Sequence, residues 1–537
     1  MKSLFLTSLL VWAALATDAL AAAPPERAVA APAAVAASPR LDQPIPLGAA
    51  ASGAASRYAF ALPHGLRLQL AAGLLGTVEE VGASQLDAAG TLSSSHLQLS
   101  PLLRVGLRLE GPKAPDSLSY ALEYEQDLPT GSVTAALPEG AGMPGGAGLT
   151  TELRKAFLQL ALGNKVLFRG GVMTSDFGLG LVANDGTHGW EPGSARFADP
   201  RGGDRVLRAL VATGPHTRFG LVAALAVDKV LHDDTLLLSQ EMGGAPAPAD
   251  DTARQFVGLL SLGNPAENWA GLFVAQRNQS AADGRTLAAT VASLSGLGRH
   301  KLASGGTLSG GFEGAFITGE TNLPGTPSNP QQQLRQAALA LRGGLDLTRF
   351  GFAFDALAAS GDANLADDQQ TAFRANPNYD LGLLLFPQVL AAQSARSSFT
   401  AGNPALVGEP APGVERLPTR GAATNTFTVF PRAFVRPLQG VEVYGGPLFA
   451  WSAVPPVDPF NTAIDGGSLR NALGGKPGNY LGTELDLGAR ARFASSYGEL
   501  DLGIEGGLLF PGDALNRADG TPLPAVPGAR AMLALRL

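Results

Sequence analysis

Connections of unequal length take turns along this chain of 537 residues, and that rhythm constrains the fold more than any single motif. Segments with alternating or apolar patterning fall at about 66–75, 97–110, 117–127, 151–162, 165–173, 204–213, 217–228, 253–263, 268–278, 286–297, 306–318, 333–347, 350–360, 424–436, 439–452, 480–493, 497–511 and 528–537. The gaps at 111–116, Gly163-Asn164, 214–216, 264–267, Thr348-Arg349 and Pro437-Leu438 are short, and those at 76–96, 128–150, 174–203, 229–252, 361–423 and 453–479 are long. The pattern predicts an all-β protein, a transmembrane antiparallel up-and-down β-barrel of about 18 strands with short periplasmic turns and long extracellular loops. A soluble sandwich has no reason to keep every second connection short. Lipid, by contrast, cannot satisfy the backbone of an open sheet edge, so it imposes closure.

The segment YLGTELDLGARARF, Tyr480 to Phe493, shows what such strands look like: Leu481, Thr483, Leu485, Leu487 and Ala489 share one face, Glu484, Asp486, Arg490 and Arg492 the other. In a barrel the first face meets lipid and the second the lumen. The same parity assigns Arg104 and Arg108, Glu123 and Glu125, Arg169, Arg342, Arg432 and Arg436, Asp501 and Glu505, and Arg530 and Arg536 to the lumen wall. Two readings stay open for these mixed charges: a ladder of cross-strand ion pairs filling a narrow barrel, or a charged conduit whose arginines favour anionic or carbohydrate-like solutes. With 7 tyrosines and 4 tryptophans, the aromatic girdles must come from phenylalanines such as Phe219, Phe350, Phe352 and Phe354.

Residues 1–21, with Lys2, an apolar run over about 4–15 and Ala19-Leu20-Ala21, read as a secretory signal peptide. Residues 22–56 are Ala/Pro-rich and too poor in large apolar side chains for a core, so a flexible periplasmic leader is expected there, with a fold-back plug as the alternative. The barrel is expected over 57–537. Cysteine is absent, which excludes disulfides, and the net charge of −7 is spread without a basic patch, which argues against nucleic acid. The expected setting is a Gram-negative outer membrane, with its lipid, lipopolysaccharide and barrel-assembly machinery as partners.

At GGVMTSDFGLGLVANDGTHGW, Gly170 to Trp190, and again at NPNYDLGLLLFPQVLAA and YLGTELDLGARARF, the chain resembles an uncharacterised family of bacterial outer-membrane barrels and, more distantly, alginate-export-type porins. The resemblance implies an eighteen-stranded porin-like barrel. It reaches no substrate and transfers no binding residue.

The connection 174–203 is the leading candidate for a constriction, with Asp176, Asp185, Arg196, Asp199 and Arg201 as an eyelet; the bland alternative is an ordered surface loop. The oxygen-bearing Asn184, Asp185 and Asp199 are not spaced as a calcium loop, and neither a metal nor a cofactor is expected. Residues 376–392 read either as a plug reaching into the lumen or as a further strand pair. An enzyme is not expected: the six histidines are scattered, no G-x-S-x-G occurs, and His232-Asp233-Asp234 reads as solvated surface. The expected role is passive passage of a small or polysaccharide-like hydrophilic solute, with a non-conducting structural barrel, then a hydrolase, as alternatives. Oligomeric state is not legible.

Overall fold

The computed structural model describes residues 58–93, 96–112, 118–130, 133–134, 150–163, 165–187, 191–195, 203–242, 251–264, 267–303, 305–364, 366–379, 381–409, 411, 413, 417–495 and 498–537. The expected signal peptide at 1–21 and leader at 22–56 lie outside the described residues.

Eighteen long strands form one antiparallel sheet: β1 Arg67–Val81, β2 His96–Glu110, β3 Leu118–Thr130, β4 Thr150–Leu162, β5 Val166–Thr174, β6 Arg205–His216, β7 Leu221–His232, β8 Thr252–Gly263, β9 Trp269–Ser280, β10 Thr286–Lys301, β11 Thr307–Thr321, β12 Gln332–Asp346, β13 Phe350–Ala359, β14 Thr426–Leu438, β15 Val441–Trp451, β16 Tyr480–Ala494, β17 Glu499–Pro511 and β18 Val526–Arg536. Each pairs with the next, and β1 pairs with β18 from Gly73↔Arg536 to Val81↔Gly528, which closes the barrel. Closure leaves no long strand with an unpaired edge, as a bilayer requires. The odd connections, 82–95, 131–149, 175–204 and onward, are the long ones except for the five-residue 281–285, and both the start of β1 and the end of β18 sit at the short-turn rim. A four-residue piece, Tyr58–Ala61, folds back on the start of β1.

Burial follows the pleat. Along β9 exposure alternates at every residue, with Trp269, Phe273 and Ala275 inside and Leu272 and Val274 outside. The expected phenylalanine belt is present, with Phe219, Phe350, Phe352 and Phe354 between 39% and 61% exposed on the outer face. The parity fails once in the segment that suggested it. Leu481 is not lipid-facing but 3% exposed inside, because the pairing slips between Ala450 and Trp451 and Gly482 takes a φ of 147°. That bulge reverses the face of one residue, and the left-handed backbone at Gly482 suits only glycine.

One rung of the cylinder is missing. Pairing of β14 with β15 stops after Val429↔Phe449 and resumes at Ala433↔Gly445 in the same register, which sets Pro431 opposite Pro447 at mid-strand. Neither carries an N–H, so the reciprocal pair of backbone bonds cannot form.

Candidate functional site

The lumen is organised by two long connections that fold into it. Of 175–204, the stretch after β5 runs inward: Phe177, 1% exposed, packs edge-on to Trp269 at 5.5 Å and stacks on Phe273 at 5.3 Å. Gly178 has a φ of 65°, and a Cβ there would lie 2.7 Å from the Glu313 carboxylate. The turn therefore needs glycine both for its backbone and for close approach to the wall. Glu313, on β11, accepts from Leu179 N at 2.7 Å, Leu181 N at 3.0 Å and Ser293 Oγ at 2.9 Å. Further on, Gly193 N donates to Glu442 at 2.8 Å, Arg432 Nη1 donates to Gly193 O at 2.9 Å, and Arg490 donates to Ser194 O. The described parts of this connection, 175–187 and 191–195, lie against the inner wall and not on the outer surface. Arg196, Asp199 and Arg201 lie outside the described residues.

The second connection, 360–425, supplies a plug. Residues 381–390 pass through the lumen, ending in a π-helical turn at Leu385–Leu390, and continue into helix α1, Ala391–Ala401. The alternative of a further strand pair at 376–392 is thus set aside. Glu484 on β16, 0% exposed, accepts the N–H groups of Leu383, Leu384 and Leu385, the last two at 2.8 and 2.7 Å. Leu383, Leu384, Leu385, Phe386 and Val389 are buried in one cluster with Leu181, Leu357, Leu448, Leu481 and Leu509. The centre of the barrel is therefore a hydrophobic core shared between wall and plug. The two loops are also stitched together: Asn376 N donates to Leu181 O at 2.8 Å, and Asp204 accepts from Asn184 N at 3.0 Å and Asn376 Nδ2 at 2.9 Å.

Most of the charged side chains assigned to the wall are engaged by each other or by the loops. Arg104 grips Asp127 at 2.7 and 3.0 Å beside Glu125. Arg108 reaches Glu110 at 2.7 Å and Glu123 at 3.1 Å, and Arg169 donates to Gln159 at 2.7 Å. Arg342 joins Asp355 at 2.8 Å and Glu191 at 2.9 Å, and Arg432 joins the same Asp355. Arg490 pairs with Glu442 at 2.8 Å, both essentially unexposed. Asp486 follows Glu484 on the same inward face of β16. Glu505 holds Arg530 and the Tyr444 hydroxyl, while Arg492 and Arg536 share Asp501. Of the two readings of these charges, the ion-pair ladder describes the middle of the barrel. The wetter arginines include Arg108 and Arg492, with side chains 29% and 31% exposed near the short-turn rim.

Several of the residues that matter were not singled out by parity. Arg154 is 1% exposed beside Glu125 at 3.0 Å because the ladder slips between Glu125 and Gln126, turning both Arg154 and Lys155 inward. The adjacent basic pair in one strand was the only signal of that bulge. Arg208 and Asp228, directly paired on β6 and β7, form two 2.7 Å bonds in full burial. A single arginine and a single aspartate at inward positions of neighbouring apolar strands could have identified them.

Between the loops and the wall of β6–β12 lies a cavity of about 240 Å³, lined by Asp204, His232, Asp233, Gln255, Phe273, Arg277, Gln336, Phe373 and Arg374. A second, of about 160 Å³, lies on the other side of Arg374 and Leu417, against α1 and the connection 452–479. His232-Asp233-Asp234 is accordingly not solvated surface but cavity lining, because Arg277 reaches back to hold Asp233. Burial acts to raise the Asp233 carboxyl, and the Arg277 guanidinium more than offsets it, leaving the group below the usual carboxylate range. Asp204 goes the other way: burial, with Asp233 nearby, pushes it well above that range. Burial, reinforced by Asp185 and Glu313, does the same to Asp176. Among the described residues no group of histidine and carboxylate side chains is arranged to hold a metal ion.

No protein-family model matches the chain, and no curated protein matches it in sequence. Solved structures with a similar chain course include Pseudomonas aeruginosa OccK5 (OpdH), 10% identical over 87% of this chain and 98% of that one, with a TM-score of 0.46. Acinetobacter baumannii OccAB1 is 9% identical over 87% and 96%, TM-score 0.46, and the Pseudomonas aeruginosa outer membrane protein OprD is 8% identical over 88% and 93%, TM-score 0.45. At these identities and scores the likeness transfers no residue or role. The similarity to alginate-export-type porins gains no support from them.

Proposed function

We propose that this barrel is an outer-membrane, porin-like channel that passes a small hydrophilic solute, anionic or carbohydrate-like, by diffusion through a constricted lumen. The observation that carries the reading is a closed eighteen-stranded cylinder whose inward loops leave cavities of about 240 and 160 Å³ on either side of Arg374, each with charged side chains set among apolar ones. A wide barrel without such loops would be unselective, and a barrel packed solid would have no solute space. Cavities of this size suit a small solute, below the roughly 300 Å³ at which small-molecule pockets usually begin. A polymer would need the plug displaced.

In this reading Arg108, Arg492 and Arg536 form the periplasmic vestibule, and Arg277, Arg374, Asp204 and Asp233 select at the cavity. Asp176, Asp185, Arg196, Asp199 and Arg201 set the width of the loop constriction. Export by the N-terminal signal peptide, insertion by the barrel-assembly machinery and contact with lipopolysaccharide complete the proposal. The passage requires no nucleophile and no cofactor.

The test is single-channel recording of the purified protein in a planar bilayer, with the reversal potential taken across a potassium chloride gradient. Discrete steps with anion preference support the channel. Silence from a heat-modifiable, folded barrel favours the second reading, a structural barrel kept shut by the core around Leu384 and Phe386.

A further inference from the structure

The outer face of the barrel carries an arrangement that passage through the lumen does not use. Outward positions on β7 run Leu225, Val227, Lys229 and Leu231, and those on β8 run Leu260, Gly258, Phe256 and Arg254. The register places Lys229 directly opposite Arg254, and both are exposed. Opposed side chains on one face of an antiparallel pair have Cβ atoms about 4.5–5.5 Å apart, where like charges repel.

Among the described residues no acidic side chain neutralises this pair. Their partners on the flanking strands are Leu207 and Asn278. The one acidic residue in β6–β9 is Asp228, which faces inward and is occupied by Arg208. Among the described residues neither Lys229 nor Arg254 forms an ion pair.

Height and surroundings identify the missing anion. β7 runs into a long connection, so the pair lies at the long-loop rim. Eight residues separate Arg254 from Leu262. At ~3.3 Å per residue and a tilt of ~40°, that is roughly 20 Å of height, near the outer edge of an apolar band about 25 Å tall. Below the pair, Leu225 and Phe256 are 66% and 57% exposed to the acyl region. Beside it on β9, Gln276, Asn278 and Ser280 point outward with amide and hydroxyl groups suited to sugar hydroxyls. Asn278 is level with Arg254 and Gln276 with Phe256, so cations with amide groups beside them sit above exposed apolar side chains, as the phosphates and sugars of a glycolipid sit above its acyl chains.

We infer that Lys229 and Arg254 bind a phosphate of a phosphorylated glycolipid in the outer leaflet, with Asn278 and Gln276 beside its sugar. Arginine supplies a planar fork for phosphate oxygens and lysine a point charge. The inference rests on the outer-membrane placement proposed above and not on conduction, so a silent barrel that binds lipid here refutes only the channel.

The test is native mass spectrometry of the detergent-purified protein titrated with diphosphorylated lipid A, with dephosphorylated lipid A, phosphatidylglycerol and inorganic phosphate as parallel probes. The expected result is at least about tenfold tighter binding of diphosphorylated lipid A to the native protein than to K229Q/R254Q, with weak binding of the other three to both. R335Q, which removes an outward arginine from β12, should bind like the native protein, and heat-modifiable migration confirms that each variant is folded. Equal affinity of native protein and double variant overturns the inference. Phosphatidylglycerol or inorganic phosphate binding as tightly as lipid A overturns the glycolipid assignment.

Discussion

Replacing Glu484 by alanine should turn a shut plug into a flickering one. Its carboxylate takes three consecutive backbone N–H groups, from Leu383, Leu384 and Leu385. Hydrogen bonds to a charged group contribute about 1.5–3 kcal/mol each, and three converging on one carboxylate are less than additive, so ~4 kcal/mol is a fair total. Against that stands the burial of Leu383, Leu384, Leu385, Phe386 and Val389, at about 1.5–3 kcal/mol each, or roughly 7–15 kcal/mol together. Apolar burial outweighs the hydrogen bonds, so E484A leaves the plug docked on average. Its undocked population nevertheless rises about 10³-fold, at tenfold per 1.4 kcal/mol. In single-channel recordings this appears as frequent brief openings to a larger conductance, and E484A/L384D, which removes the carboxylate and puts a charge into the apolar cluster, should stay open. An E484A barrel with native open probability and noise would refute the latch.

Phe177→Ala removes a ring packed on Trp269 and Phe273 and should loosen the 175–204 connection by about 3–4 kcal/mol, seen as faster proteolytic nicking there with the barrel intact. Arg208→Ala strands a buried Asp228 and should cost about 3–5 kcal/mol, whereas R208M/D228L should be close to neutral; thermal unfolding in detergent compares the two. Asp176 and Asp204 have folded-state pKa values raised by burial, so their contribution to the docked loops is fully present below the ordinary carboxylate range and is lost as pH rises from there through the folded values. Open probability should therefore increase with pH, less steeply in D204N, and a flat profile in the native protein would contradict the assignment.

The barrel was legible because period-2 alternation and the lengths of the connections are properties of the chain itself. All eighteen strands were anticipated to within several residues; β1 runs on to Val81, six residues past its expected end, and β7 is shifted to Leu221–His232 because its turn spans 217–220. What escaped is non-local. Parity placed Glu484 and Arg490 inside, but that one receives a plug and the other a loop carbonyl depends on connections 100 and 296 residues away in sequence. Bulges were nearly as hidden: Leu481 and Arg154 change face because the pairing slips, and only Gly482 beside the one and Lys155 beside the other hint at it. The apolar run Leu381–Leu385 looks the same whether it is a strand in lipid or a plug in a lumen. Only the wall carboxylate that meets its N–H groups distinguishes them.

The opposed prolines of β14 and β15 have a mechanical consequence. A cylinder of strands resists becoming oval through its circumferential bonds, as a barrel resists through its hoops, and at mid-height this one has a hoop cut between Pro431 and Pro447. Bending should concentrate along that line. The residues flanking the cut include Arg432, and Glu442 stands on the same strand as Pro447; both hold Gly193. The wall that yields is thus the wall that carries the inner loop, so a force that flattens the cylinder along this line should move Gly193 with it.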